Sequence, residues 1–200
     1  EILTKPGTEK FRGSASFNFN NSNLNSRNPF APSRPPYQSK QYGGNLSGPI
    51  SAKKASFFVD FDKRDIDDFA LINATVLDRN LNITSFSQSV PIPNRFITFS
   101  PRVDYQLNAT NTLVGRYNYS RTTNVTGVGG FSLASRAYQA VRTGQSVQLT
   151  ETAVINNKIV NETRFQFERL TSTQNANNSI PTLKVLEGFT GGGSQIGQSS

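Results

Sequence analysis

The sequence predicts an all-β fold: the wall of a large antiparallel transmembrane β-barrel, incomplete at about seven strands. Three observations predict it. Strand-length runs alternate in polarity, short turns and long polar loops take turns in joining them, and no segment carries a helical period. Asn, Ser and Thr are abundant throughout, and they compete with helical backbone bonds while suiting turns.

The first strand, Phe11–Asn20, sets Phe11, Ala15, Phe17 and Phe19 against Arg12, Ser14, Ser16 and Asn18. A long polar loop near 21–37 follows, ending at Tyr37, and Gln38–Ile50 is the second strand. A tight link through Ser51 and Ala52 leads into the third, Lys53–Arg64. There Ala55, Phe57, Val59 and Phe61 oppose Ser56, Asp60, Asp62 and Arg64, and Phe58 breaks the polar side. A second long loop spans about 65–95.

The fourth strand, Phe96–Leu107, places Ile97, Phe99, Val103, Tyr105 and Leu107 opposite Thr98, Ser100, Arg102, Asp104 and Gln106. Pro101 falls on its apolar face, where it forgoes a ladder bond, and a bulge is expected there. After the turn Asn108–Asn111, Thr112–Thr123 sets Leu113, Tyr117 and Tyr119 against Arg116, Asn118 and Ser120. A third long loop covers 124–144. Gln145–Ile155 then shows Val147, Leu149, Ala153 and Ile155 on one face, with Glu151 among them. A bulge, an interfacial position or a shifted register would each account for that carboxylate. The turn Asn156–Lys158 leads into Ile159–Thr171, where Phe165 and Phe167 oppose Glu162, Arg164, Gln166 and Glu168. A fourth loop occupies 172–200.

Charges two residues apart must meet water or a charged neighbour, because an unpaired buried charge is costly. The opposite faces are aromatic and nearly free of charge, so the two sides fit lipid outside and a wet lumen inside. A one-sided soluble sheet would alternate in the same way. Strand length adds weight: runs of about 10–12 residues exceed the usual ~5–6 and match the ~9–11 that cross a bilayer.

Apolar residues make up 34% of the 200, sparse for a soluble globular domain even with the 15 Gly added, so the chain either is partly disordered or wets half of each strand, and the regular alternation favours the second. No apolar run approaches the ~20 residues of a membrane helix. Without Cys or His, thiolate chemistry, disulfides and a histidine base are excluded. The formal charge of +8 is scattered over strands and loops with no stripe, so it reads as solvated charge and no nucleic-acid partner is expected. The chain starts at Glu1 within a strand-like run and lacks an initiator Met, so it reads as a piece of a longer protein. Alone, such a wall is expected to aggregate or stay unfolded, because both edges would carry unpaired backbone groups.

The segment Glu1–Thr8 followed by Phe11-Arg12-Gly13-Ser14 resembles the junction of plug and barrel in TonB-dependent outer-membrane receptors. Asn25–Phe30, Gln41–Ile50 and Phe57–Phe61 follow in the order seen in the Oar-like branch of that family, and Phe99–Tyr105 and Asn161–Phe165 continue it. The resemblance covers nearly the whole chain. It implies a plug that ends at about residue 10, and a barrel of about 22 strands of which 11–200 supplies the N-terminal portion. It also implies energy coupling through a periplasmic TonB contact in a region outside this sequence. With the plug ending in the periplasm, the short turns are periplasmic and the long loops extracellular. The expected place is the outer membrane of a Gram-negative bacterium, in contact with its lipid.

Candidate functional residues fall into two groups. Arg12, Asp60, Asp62, Arg64, Arg102, Asp104, Arg116, Glu162, Arg164 and Glu168 are candidates for polar groups facing the lumen. Arg27, Phe30, Arg34 and Tyr37 are candidates for substrate contact in the first long loop, and the Val125–Arg142 loop is the other place for such contact. Asp60, Asp62, Asp65, Asp67 and Asp68 could suggest calcium, but the spacing departs from a calcium loop, and pairing with Arg64, Arg102 or Arg116 is the favoured reading. Tyr42, Tyr105, Tyr117 and Tyr119 suit an outward interfacial girdle better than sugar stacking. No cofactor, metal or enzymatic activity is expected. The function expected is energy-coupled uptake of a siderophore, vitamin, glycan or peptide, with a surface adhesin or a passive porin as alternatives.

Overall fold

A computed structural model describes residues 10–26, 37–52, 54–194 and 196. Nine long strands run in chain order as β1 (Arg12–Asn21), β2 (Gln38–Ser51), β3 (Ala55–Asp67), β4 (Phe69–Leu77), β5 (Ile83–Pro91), β6 (Asn94–Gln106), β7 (Asn111–Thr126), β8 (Tyr138–Asn156) and β9 (Ile159–Ala176). Two short strands follow, β10 (Leu183–Val185) and β11 (Phe189–Gly191). The wall is one seven-stranded sheet in the order β1-β2-β3-β6-β7-β8-β9, with every neighbouring pair antiparallel. The pairs β4-β5 and β10-β11 form separate two-stranded sheets.

The register separates two media. Gly13, Leu46, Val59 and Pro101 share one rung, Tyr117, Val147 and Phe167 another part of the same face. The rungs on either side hold Phe57, Val103, Gly115, Leu149 and Phe165, and Ala15, Gly44, Phe61, Phe99 and Tyr119. These side chains are not buried by protein: Phe17 is 59% exposed and Phe167 55%. In water such a belt would forfeit most of its hydrophobic stabilisation; against hydrocarbon it is the stable arrangement. All four candidate girdle tyrosines lie on this apolar face, with Tyr42 and Tyr119 toward one end and Tyr105 toward the other.

One end of the wall carries only tight turns. Asn108 Oδ1 accepts from the backbone N–H of Thr110 and of Asn111, both at 2.9 Å, and Asn156 Oδ1 accepts from that of Lys158 at 2.9 Å. These side chains mimic a backbone turn, which is why Asn clusters mark the reversals. The two register shifts in the wall, at Pro49/Ser51 and Val154/Asn156, sit next to turns at this end. No bulge occurs at Pro101. The β6–β7 register is the same on both sides of it, and only the pairs at Ser100 and Pro101 drop out of the ladder. Glu151 shares a rung with Leu113 and Thr163 in regular register, and the shift at Val154/Asn156 falls beyond it toward the turn, so it occupies an interfacial position at the turn end of the belt.

The other end departs from the expected loops. The 65–95 stretch is a β-hairpin, because Phe69–Leu77 and Ile83–Pro91 are rich in β-forming residues around a tight turn. Asp78 Oδ1 closes that turn by accepting from the N–H groups of Asn80 and Asn82, both at 2.8 Å. β7 and β8 extend into 124–144 and leave only 127–137 outside the ladder, while β9 and the β10–β11 hairpin occupy much of 172–200. The sheet does not close: β1 and β9 are its edges, and β9 is exposed along its whole length. The expected end of the plug lies outside the described residues except for Lys10.

Candidate functional site

The polar face is built rung by rung. Arg12, Ser47, Phe58, Arg102, Arg116, Gln148 and Gln166 align across all seven wall strands. One step toward the loop end, Asp60 aligns with Ser14, Asn45 and Ser100, and Glu168 with Ser146 and Asn118. Asp62 and Arg64 continue in that direction; Asp104 with Arg164's rung, then Glu162, lie toward the turns. The ten candidate charges therefore share a single face, opposite the apolar belt.

Within it, Arg102 grips Asp104 through a two-pronged contact, Nε to Oδ2 at 2.9 Å and the terminal nitrogen to Oδ1 at 2.5 Å. Arg102 is only 9% exposed, so this fork satisfies a guanidinium that would be costly to leave bare. Arg164 donates to Glu162 at 2.9 Å, and Arg116 approaches Gln148 Oε1 at 3.5 Å. A cleft of ≈ 410 Å³ opens between these groups, lined among others by Arg102, Arg116, Arg164, Asn118, Gln148 and Gln166. Three guanidiniums beside three amides make it a donor-rich surface, suited to carbonyl, carboxylate or phosphate oxygens.

The Asp cluster is split by the pleat. Asp60 and Asp62 are on the polar face, whereas Asp65 and Asp67 point the opposite way. Asp62 accepts from Gln41 at 3.0 Å. Asp65 pairs with Lys63 at 3.0 Å and Arg95 at 3.7 Å, and Arg95 also binds Asp67. The expected partners Arg64, Arg102 and Arg116 are thus replaced here by Lys63 and Arg95. Among the described residues, no group of three or more carboxylates, His or Cys could hold a metal ion.

The outer end carries a packed assembly that sequence reasoning missed. Ile72 of β4 is fully buried (0% exposed), and Ala74 and Ala137 are buried with it. The 127–137 loop crosses β4 there: Asn73 donates its N–H to the carbonyl of Gly130 at 2.8 Å, and Gly130 donates back to that of Leu71 at 2.8 Å. Gly129 and Gly130 have φ of 120° and 59°, and a Cβ on Gly129 would press on that of Ala70 at 3.3 Å. Only glycine permits this crossing without strain. β10–β11 docks on the same edge of β4, with the Thr75 N–H to Gly188 O at 3.2 Å, and holds the loop through that of Leu133 to Thr190 O at 2.9 Å.

Arg136, in a 3-10 turn (Ala134–Arg136), donates to Thr182 Oγ1 at 2.6 Å and to the carbonyl of Gly193. The readable signals were the close-set Gly127, Gly129 and Gly130 and the Asp78-Arg79-Asn80 turn between two apolar runs. Of the four candidate contacts in the first long loop, Arg27, Phe30 and Arg34 lie outside the described residues. Tyr37 lines a cleft of ≈ 600 Å³ at the rim, with Asn21, Asp67, Phe69 and Arg95.

A single-layer wall with one lipid-facing side, tight turns at one end and long structured loops at the other defines a transmembrane β-barrel of the outer membrane. A family model described as an outer membrane beta barrel domain matches residues 3–91 and 69–200, and the chain belongs to that family. The two matched stretches overlap on 69–91, the span of the β4–β5 hairpin. No curated protein and no solved structure matches the chain. In barrels of this class short turns are periplasmic and longer loops extracellular, and an apolar belt of this kind meets lipid. Among the described residues no helix is long and apolar enough to cross a membrane.

Proposed function

We propose that this chain is part of a TonB-dependent receptor of the Oar-like kind, which takes up a large substrate across the outer membrane without chemical change. The observation that carries the reading is the ordered run of motifs, which falls on the wall at defined places. Gln41–Ile50 lies within β2, Phe57–Phe61 is the belt of β3, Phe99–Tyr105 the belt of β6 and Asn161–Phe165 falls near the start of β9. The outward loop assembly offers a preformed surface for capture, and the donor-rich cleft between Arg102, Arg116 and Arg164 offers oxygen-binding groups along the inner wall. An adhesin would have use for the loops but not for that cleft.

A deletion strain tested for uptake of siderophores, cobalamin, glycans and peptides decides the matter. Loss of uptake of one class, reproduced in a strain lacking TonB or by collapsing the proton-motive force, is the expected result. Uptake that persists without TonB would point to a passive pore, and loss of attachment with uptake intact to an adhesin.

A further inference from the structure

The outward face changes character abruptly at its extracellular end. Up to the rung of Phe61, Phe99 and Tyr119 it is aromatic and apolar from β1 to β7, while on β8 and β9 that same rung already holds Gln145 and Arg169. The next rung aligns Phe17, Tyr42, Lys63, Ile97 and Arg121, and the one beyond it aligns Phe19, Lys40, Asp65 and Arg95. Phe17 and Tyr42 still touch there, with ring centroids 5.1 Å apart, so Lys63 and Arg121 stand level with the top of the aromatic girdle. Girdle aromatics sit at the depth of lipid headgroups. These charges therefore point outward into the headgroup layer, away from the lumen.

Their balance is basic. Lys40, Lys63, Arg95 and Arg121 face Asp65 and Asp67 on this collar. The two carboxylates are already engaged by Lys63 and Arg95. Among the described residues, Arg121 and Lys40 have no carboxylate within 4.0 Å. Arg121 is the diagonal neighbour of Arg95, which pairs with Thr123, and Arg95 is in turn diagonal to Lys63. Diagonal neighbours are ~7–8 Å apart, within reach of long side chains that converge on one group. That spacing suits an oxyanion seated between guanidiniums and an ammonium.

We infer that the collar of Lys40, Lys63, Arg95 and Arg121 binds the phosphate of a phosphorylated lipid headgroup in the outer leaflet. Free phosphate is not the occupant argued for, because the collar runs without a break into the lipid-facing belt. A lipid can fill both surfaces at once, with acyl chains on Phe61 and Phe99 and its phosphate on the basic rungs.

The test uses the full-length protein, purified and folded, and measures lipid binding by native mass spectrometry. The probes are bisphosphorylated lipid A, the same lipid dephosphorylated, and inorganic phosphate alone. The phosphorylated lipid should bind at least about fivefold more tightly than its dephosphorylated form, and Arg121→Gln should remove about fivefold, as expected for one basic group near an anionic surface. Arg121→Lys should retain most of the preference. If Arg121→Gln fails to fold, Lys40→Gln gives the same readout. Equal binding of both lipids, a preference unchanged in a folded Arg121→Gln protein, or displacement of the lipid by millimolar inorganic phosphate would each overturn the inference.

Discussion

The Arg136 guanidinium donates to the Thr182 hydroxyl at 2.6 Å, joining two loops 46 residues apart in sequence. The same side chain binds the carbonyl of Gly193, and Asn178 returns a bond to Ser135 O at 2.9 Å. Loops that face solvent are ordinarily mobile and weakly packed. Here they share hydrogen bonds and a buried isoleucine, so the outer end of the barrel wall behaves as a small folded unit.

Removing the Arg136 side chain should loosen that unit and leave the wall intact. Arg136→Ala strands the partners of a charged donor, at a cost of about 1.5–3 kcal/mol. Hydrogen exchange should accelerate at Gly130 and Thr190, whose N–H groups bond to Leu71 and Phe131, while β7 and β8 keep their protection. Unchanged protection at Gly130 and Thr190 would show that the loops hold without the clamp.

Ile72 is the second point of failure. Ile72→Ala opens a cavity in the only fully buried site among the described residues and should cost the assembly about 2–5 kcal/mol. Limited proteolysis should then cut within Asp78–Asn82 at protease levels that spare the parent protein. An identical cleavage pattern would mean that the hairpin does not depend on its packing.

Acid should undo the β4–β5 turn by a separate route. The Asp78 carboxyl is held below its ordinary value of 3.8, chiefly by the backbone N–H of Asn82, helped by the Asn82 side chain and the N–H of Asn80. A depressed carboxylate contributes stability that is fully present above the unfolded value and is lost as pH falls through the folded one. The turn should be ordered at pH 6 and loosen below about pH 4. Amide shifts of Asn80 and Asn82 report it, and Asp78→Asn should abolish the titration.

The assignment of faces can be read from a neighbouring pair on β6. Phe99 points to lipid and Thr98 to the polar side, aligned with Asp62 and Ser120. Phe99→Arg, one rung inside the headgroup level, should cost more than the ~0–1 kcal/mol of an interfacial site and less than the ~2–4 kcal/mol of the midplane, whereas Thr98→Arg should be nearly neutral. Urea unfolding of the full-length protein in lipid vesicles measures both. Equal penalties would contradict the two-sided wall.

All seven wall strands were legible because lipid and water impose opposite demands on alternate residues. The runs around Phe57, Val59 and Phe61, or Phe165 and Phe167, have no other simple explanation. The strands above the membrane lose that signal. Phe69–Leu77 alternates only from Ile72 onward, with Ile72 and Ala74 buried against exposed Asn73 and Thr75, while Phe69, Leu71 and Leu77 put apolar residues on the second face and blur the period. Charge spacing placed ten polar candidates on one face, but it did not reveal their partners. Asp65 reaches Lys63 on its own strand and Arg95 on the next, and that choice depends on register and rotamer.

β8 has 19 residues and β9 has 18, while crossing a bilayer takes only about 9–11. The surplus of roughly eight residues, at ~3.3 Å each, raises paired strand some 25 Å along the chain beyond the hydrocarbon. Such a wall is a parapet: its rim stands clear of the membrane surface. A molecule arriving from the medium therefore encounters the β4–β5 hairpin and its docked loops before it encounters lipid.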